Sequence, residues 1–159
     1  MKNIFLVIFI ISTLLQSCDL IQELLEGETE YINKSQLYIG DLTLFLSKDE
    51  MIKYLGKPDS IINQEYYYDD EFTIIVQSDK IWDIVCKSPK YATPDGIKIG
   101  DTKEKVIETY GQTKSIKNKE TEIMFYESYS TFNSTVPLYL ILTTKNNIVE
   151  KIQLWFHYE

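Results

Sequence analysis

Ser47-Lys48-Asp49-Glu50-Met51-Ile52-Lys53-Tyr54-Leu55-Gly56-Lys57-Pro58 aligns without gaps on Thr102-Lys103-Glu104-Lys105-Val106-Ile107-Glu108-Thr109-Tyr110-Gly111-Gln112-Thr113. Between them these two stretches set the architecture to expect. Each offers a hydroxyl residue suited to a helix N-cap, an early acid, an apolar pair, a further apolar residue one turn later and a closing glycine. Ser47 with Glu50 three residues on is a capping box, which satisfies backbone amides left open at a helix start. Gly56 and Gly111 suit the position just past a helix, and Pro58 keeps the first helix from resuming. Met51, Ile52 and Leu55, like Val106, Ile107 and Tyr110, line one face of a two-turn helix. Helices this short do not stand alone in water, so each must pack on something.

The sequence after each helix supplies that support. Glu65–Tyr68, Phe72–Gln77 and Ile81–Cys86 follow the first; Thr121–Tyr126, Leu138–Thr144 and Ile148–His157 follow the second. Turn-forming runs such as Ser78-Asp79-Lys80 and Lys145-Asn146-Asn147 join them, as in an antiparallel meander. In the last hairpin, Leu138, Leu140, Leu142, Ile148, Ile152, Leu154 and Phe156 are expected on one face. Tyr139, Ile141, Thr143, Val149, Lys151, Gln153, Trp155 and His157 are expected on the other. Glu150 falls on the apolar side, which predicts a sheet end or a bulge there. Lys87–Gly100, with Pro89, Pro94 and Gly96, marks a boundary, and Tyr126–Pro137 is a long polar-aromatic connection. The likeness of Ile39-Gly40-Asp41 to Ile99-Gly100-Asp101 is out of register with the repeat and reads as chance.

The fold expected is therefore α+β, in two tandem units. Each is a short helical opening packed on an antiparallel three- to four-stranded meander. Residues 1–17 read as a lipoprotein signal peptide, 18–36 as a tether, 37–90 as the first unit and 91–159 as the second. The signal has a basic start at Lys2, an apolar run from Ile4 and a small residue, Ser17, before Cys18. Roughly 20 apolar residues are needed to span a bilayer, and Ile4–Leu15 falls well short. Leu15-Gln16-Ser17-Cys18 resembles a bacterial lipobox, which implies that Cys18 carries lipid and becomes the mature N-terminus. The chain would then sit in the bacterial cell envelope. Asp19 is similar to an inner-membrane retention signal of enterobacteria, but which membrane holds the anchor stays open. Asp19–Glu26 spaces its apolar residues as a short amphipathic helix would, and Glu28-Thr29-Glu30 reads as flexible chain.

Composition narrows the function. The 159-residue chain has a formal charge of −8, and all 16 of its basic residues are lysine. Removing residues 1–17 takes away one lysine and no acid, making the chain one unit more negative. This charge, without arginine's planar fork for phosphate, argues against nucleic acid as a partner. Apolar content of 44% excludes a mainly disordered chain. Twelve Tyr among few Gly favour β structure.

Gly96-Ile97-Lys98-Ile99-Gly100-Asp101-Thr102, followed by a helix ending Tyr110-Gly111, is similar to the opening of the SmpA/OmlA-type lipoprotein domain. Ser47–Pro58, ending Leu55-Gly56-Lys57-Pro58, looks like the same element, and two in tandem resemble the β-lactamase-inhibitor-protein fold. Thr113 departs from the pattern, standing where that family usually has proline. The resemblance implies binding, either scaffolding of envelope complexes or inhibition of a protein, and brings no catalytic residue and no cofactor.

The residues themselves offer little chemistry. His157 is the sole histidine, which excludes triads needing a second and leaves no zinc set. Cys86 lies in an apolar run and reads as a small buried hydrophobe, with Lys87 the only support for a nucleophile. A hydrolase using Cys86 and His157 is the different-class alternative. Asp69-Asp70-Glu71 reads as an acidic turn, without the ligand spacing of a calcium loop. The aromatic residues are more numerous than two small cores require. Tyr67, Tyr139 and Trp155, with Tyr129 and His157, are the candidate binding residues of an open sheet face. Such a face suits a protein partner, and it could instead stack on sugar rings, giving a carbohydrate-binding protein. No metal is expected.

Overall fold

Ser47 caps the first helix, α1 (Lys48–Leu55), in the manner its sequence predicts. Its hydroxyl accepts from the Glu50 amide at 3.3 Å, and its own amide donates to the Glu50 carboxylate at 3.1 Å. Thr102 caps α2 (Lys103–Tyr110) through the Lys105 amide at 3.3 Å. Gly56 and Gly111 end the two helices at φ of 86° and 87°, a region that side-chain-bearing residues rarely adopt. The computed structural model in which these features are seen describes residues 28–129 and 136–156, with Tyr129 described by its backbone.

Nine strands are described: β1 (Glu30–Tyr31), β2 (Ser60–Ile62), β3 (Glu65–Tyr68), β4 (Phe72–Gln77), β5 (Lys80–Cys86), β6 (Ser115–Asn118), β7 (Thr121–Tyr129), β8 (Pro137–Lys145) and β9 (Ile148–Phe156). They form one sheet in the order β1-β7-β8-β9-β5-β4-β3-β2, with β6 also paired to β7. All neighbours are antiparallel except β1, which runs parallel to β7.

This corrects the expectation of two tandem helix-plus-meander units. A helix followed by four strands does occur twice along the chain, but the strands build a single mixed sheet. The seam is β5 against β9, with Asp83 opposite Trp155, Ile84 opposite Leu154, Val85 opposite Gln153 and Cys86 opposite Ile152. A meander ending at β5 or β9 would leave a long apolar edge of open N–H and C=O groups. Pairing the two removes both edges. Glu30–Tyr31, within the stretch read as tether, adds a further strand whose parallel pairing no local pattern announces.

One sheet face carries the core. Phe72, Ile74, Ile84, Leu140, Leu142, Ile152 and Leu154 pack there with Met51 of α1, Val106 and Tyr110 of α2, and Leu37, Ile39, Leu42 and Ile97 from connecting segments. Fully burying an aliphatic side chain is worth about 1.5–3 kcal/mol, which is what holds such short helices in place. Lys103 anchors α2 further, its ammonium 2.5 Å from the Glu122 carboxylate of β7. Burial opposes ionisation of Glu122, but Lys103, Ser115 and Lys117 outweigh it and hold the carboxyl below its usual range.

The bulge expected near Glu150 is present. Thr143 pairs with Lys151 and Thr144 with Val149, so Glu150 has no residue opposite. The shift turns Val149 inward, where it is 1% exposed, and leaves Ile148 at 41%. The strict alternation expected for these two residues is reversed by the extra residue.

Candidate aromatic binding face

Strand register puts a single row of side chains across the face away from the helices. Reading from β3 to β1, it runs Glu65, Ile75, Asp83, Trp155, Tyr139, Glu127 and Tyr31. Directly opposed residues of adjacent strands share a face, so this row follows from pairing alone. The neighbouring row is Tyr67, Thr73, Val85, Gln153, Ile141 and Phe125. Tyr67, Tyr139 and Trp155 therefore lie on one face, each half-buried.

Tyr139 and Trp155 come together at its centre. Their ring centroids are 5.5 Å apart and their planes are inclined at 32°, so the rings form a tilted contact pair. With Phe125, Ile116, Thr29, Lys114 and Glu127 they line a groove of about 330 Å³. Thr29 reaches it because β1 pairs with β7, and Lys114 because its carbonyl accepts from the Phe125 amide at 3.0 Å. The Tyr139 hydroxyl donates to Glu127 Oε1 at 3.2 Å.

On the far side of Trp155 stands Asp83. Both its carboxylate oxygens accept from Gln153 Nε2, at 3.1 and 2.9 Å. Burial pushes its pKa up to about 6, against the opposing pull of Gln153 and Lys151 and with a small addition from Glu65. Gln153 thus fixes the carboxylate without neutralising it.

Of the other sequence candidates, Tyr67 stands apart from this groove. Tyr67 is three strands from β9, roughly 14 Å at ordinary strand spacing. Its hydroxyl donates to the Glu65 carboxylate, which together with burial raises the phenol's pKa. Tyr129 ends β7 opposite Pro137. His157 and Cys18 lie outside the described residues. Several other aromatics serve the core. Tyr126 is fully buried, donates to the Gly111 carbonyl at 2.9 Å and packs on Tyr110 at 5.3 Å. Trp82 packs with Phe156 and Phe45 at 5.0 and 6.2 Å.

The one thiol among the described residues is no nucleophilic centre. Cys86 is fully buried, its Sγ 3.6 Å from the Ser88 carbonyl, and burial pushes the thiol up to about 11. A thiol so raised holds its proton at neutral pH and is a poor nucleophile. Among the described residues, no group of three or more His, Cys, Asp or Glu could hold a metal ion. Glu71, of the acidic turn, pairs with Lys90.

Sequence reasoning missed Phe125, Glu127, Ile116, Lys114, Thr29, Asp83 and Gln153 as neighbours of the aromatic pair. The alternation of Ile123, Phe125 and Glu127 against Met124 and Tyr126 carried a signal for two of them. The others depend on strand pairings distant in sequence.

No family model matches the chain, and no curated protein matches it. A solved structure of an extracellular protein containing an SCP domain from Bacillus anthracis str. Ames is similar, with a TM-score of 0.49 and 14% identity. The match covers 82% of this chain and 47% of that one, so this chain spans about half of that protein's length. Among the described residues, no helix is long and apolar enough to cross a membrane.

Proposed function

We propose that this chain is a non-enzymatic lipoprotein of the bacterial cell envelope, anchored by lipid on Cys18, that binds a protein partner through its aromatic sheet face. The observation that carries the reading is the Tyr139–Trp155 pair, in ring contact within an apolar groove with a carboxylate at its rim. Side chains of this kind give rigid contact area at low entropy cost, and they dominate the energetics of protein interfaces. The surrounding fold supports binding over chemistry, since the one described thiol is buried and raised in pKa. Envelope placement rests on the signal-like N-terminus.

The test is cross-linking capture from envelope extracts with the wild-type chain and Trp155→Ala, both checked for fold by circular dichroism. We expect at least one protein captured by the wild type and lost in the variant. Identical capture by both would refute the reading. Retained capture of glycan alone by the wild type would favour the carbohydrate alternative. Metabolic labelling with a palmitate analogue, lost in Cys18→Ser, tests the anchor.

A further inference from the structure

We infer that the residue the partner inserts into this groove is an arginine, its guanidinium laid on the Tyr139–Trp155 pair and forked onto Glu127. The inference rests on the protein-binding reading above and names the chemistry of that same site. Ring faces carry negative electrostatic potential, and a cation over Trp or Tyr is attracted to it. Here the two rings form a tilted contact pair, 5.5 Å between centroids with planes inclined at 32°, and a flat, delocalised cation covers such a π surface better than a compact one. The Tyr139 hydroxyl donates to Glu127, which makes the ring richer in electrons and holds the carboxylate beside it. A second carboxylate, Asp83, stands directly opposite Trp155 on the neighbouring strand. Guanidinium combines both matches, since it stacks on aromatic faces and binds carboxylate through two parallel N–H bonds.

The occupant is another protein. The chain contains no arginine, so a second copy could not supply the group. Its charge of −8 favours approach of a basic surface. Lys114 also lines the groove and opposes a bound cation. That opposition gives the inference a test with two signs.

The assay follows the Trp155 indole N–H signal in NMR spectra of the ¹⁵N-labelled chain, assigned through Trp82→Phe. The probes are three blocked tripeptides, Gly-Arg-Gly, Gly-Lys-Gly and Gly-citrulline-Gly. Arginine peptide should shift the signal saturably, and the citrulline peptide, the same shape without charge, should bind at least about fivefold more weakly. The lysine peptide should fall between them. Glu127→Gln should weaken arginine-peptide binding about fivefold, while Lys114→Gln should tighten it about twofold. Equal binding of the arginine and citrulline peptides, or no response to either substitution, would overturn the inference. So would an oligosaccharide that shifts the signal where the arginine peptide does not. If Trp155-dependent capture persists while the arginine peptide fails, only this inference falls; if capture ignores Trp155, the reading of the face falls as well.

Discussion

Replacing Asp83 with asparagine should stabilise the protein at neutral pH, an unusual result for a half-buried carboxylate with a hydrogen-bond donor. Asp83 titrates near 6 in the folded protein against an ordinary value of 3.8. Burial is the main cause, and the Gln153 amide and Lys151 offset only part of it. Because the folded-state pKa is raised, the folded protein holds this proton more tightly than the unfolded chain does. The resulting stability is fully present below about pH 4 and lost as pH rises through about 6. One pKa unit corresponds to about 1.4 kcal/mol, so a shift of roughly two units gives about 3 kcal/mol. Solvent reaches the exposed side of the carboxyl, and we expect about 2 kcal/mol to be realised.

An asparagine side chain at this position would keep the volume, remove the charge and still accept from Gln153 Nε2. Its own amide could donate to Gln153 Oε1, so the substitution strands no polar group. The measurement is urea denaturation of wild type and Asp83→Asn, followed by circular dichroism at several pH values from 4 to 7.5. The difference in unfolding free energy should be near zero at pH 4 and grow to about 2 kcal/mol in favour of the variant by pH 7.5. That corresponds to a rise in Tm of roughly 4–8 °C. Taking the difference between two proteins at each pH cancels the carboxylates that shift the other way, such as Glu122 and Asp101. A difference that does not change with pH, or a variant less stable at pH 7.5, would contradict this account of Asp83.

Two further outcomes check the fold. Ser47→Ala should cost about 1 kcal/mol in the same denaturation assay, and Thr102→Ala somewhat less, because Ser47 belongs to a reciprocal capping box and Thr102 makes a one-way cap. Cys86 should not react with a thiol reagent such as DTNB in the native protein at pH 8 and should react fully in urea, since it is buried and its thiol titrates near 11; rapid native labelling would count against that burial.

How much of this could be read from the sequence depended on how local the causes are. The helices were legible because Ser47 and Glu50, three residues apart, contain the whole capping interaction. The β8–β9 hairpin was legible too, since its turn joins adjacent strands and its apolar alternation shows which side faces inward. Glu150 even marked its own bulge. Illegible from the sequence was the seam, because an apolar strand such as β5 can pair with any other of similar pattern. Only the assembled sheet selects β9. The parallel pairing of Glu30–Tyr31 is harder still, because two residues carry no periodicity. Gly40 and Gly100 show the opposite error. Their tripeptides read as a coincidence, yet both glycines adopt positive φ, 60° and 94°, in turns ahead of a helix.

The candidate site follows from that seam. Tyr139 and Trp155 neighbour each other through the hairpin alone, and two separate units would also have placed them side by side. In that arrangement Trp155 would lie on an edge strand, with solvent where Asp83 now stands. Pairing β9 with β5 brings a carboxylate from the first half of the chain against the indole. Pairing β7 with β8 sets Glu127 against Tyr139 on the other side. The two rings therefore sit between two acids, fixed on four adjacent strands of one sheet. A site held this rigidly loses little entropy when occupied, which is the condition under which a small groove can contribute useful affinity. The lack of arginine, which weighs against a grip on phosphate, also leaves these acids without a guanidinium from their own chain, so an incoming one has no internal competitor of its kind.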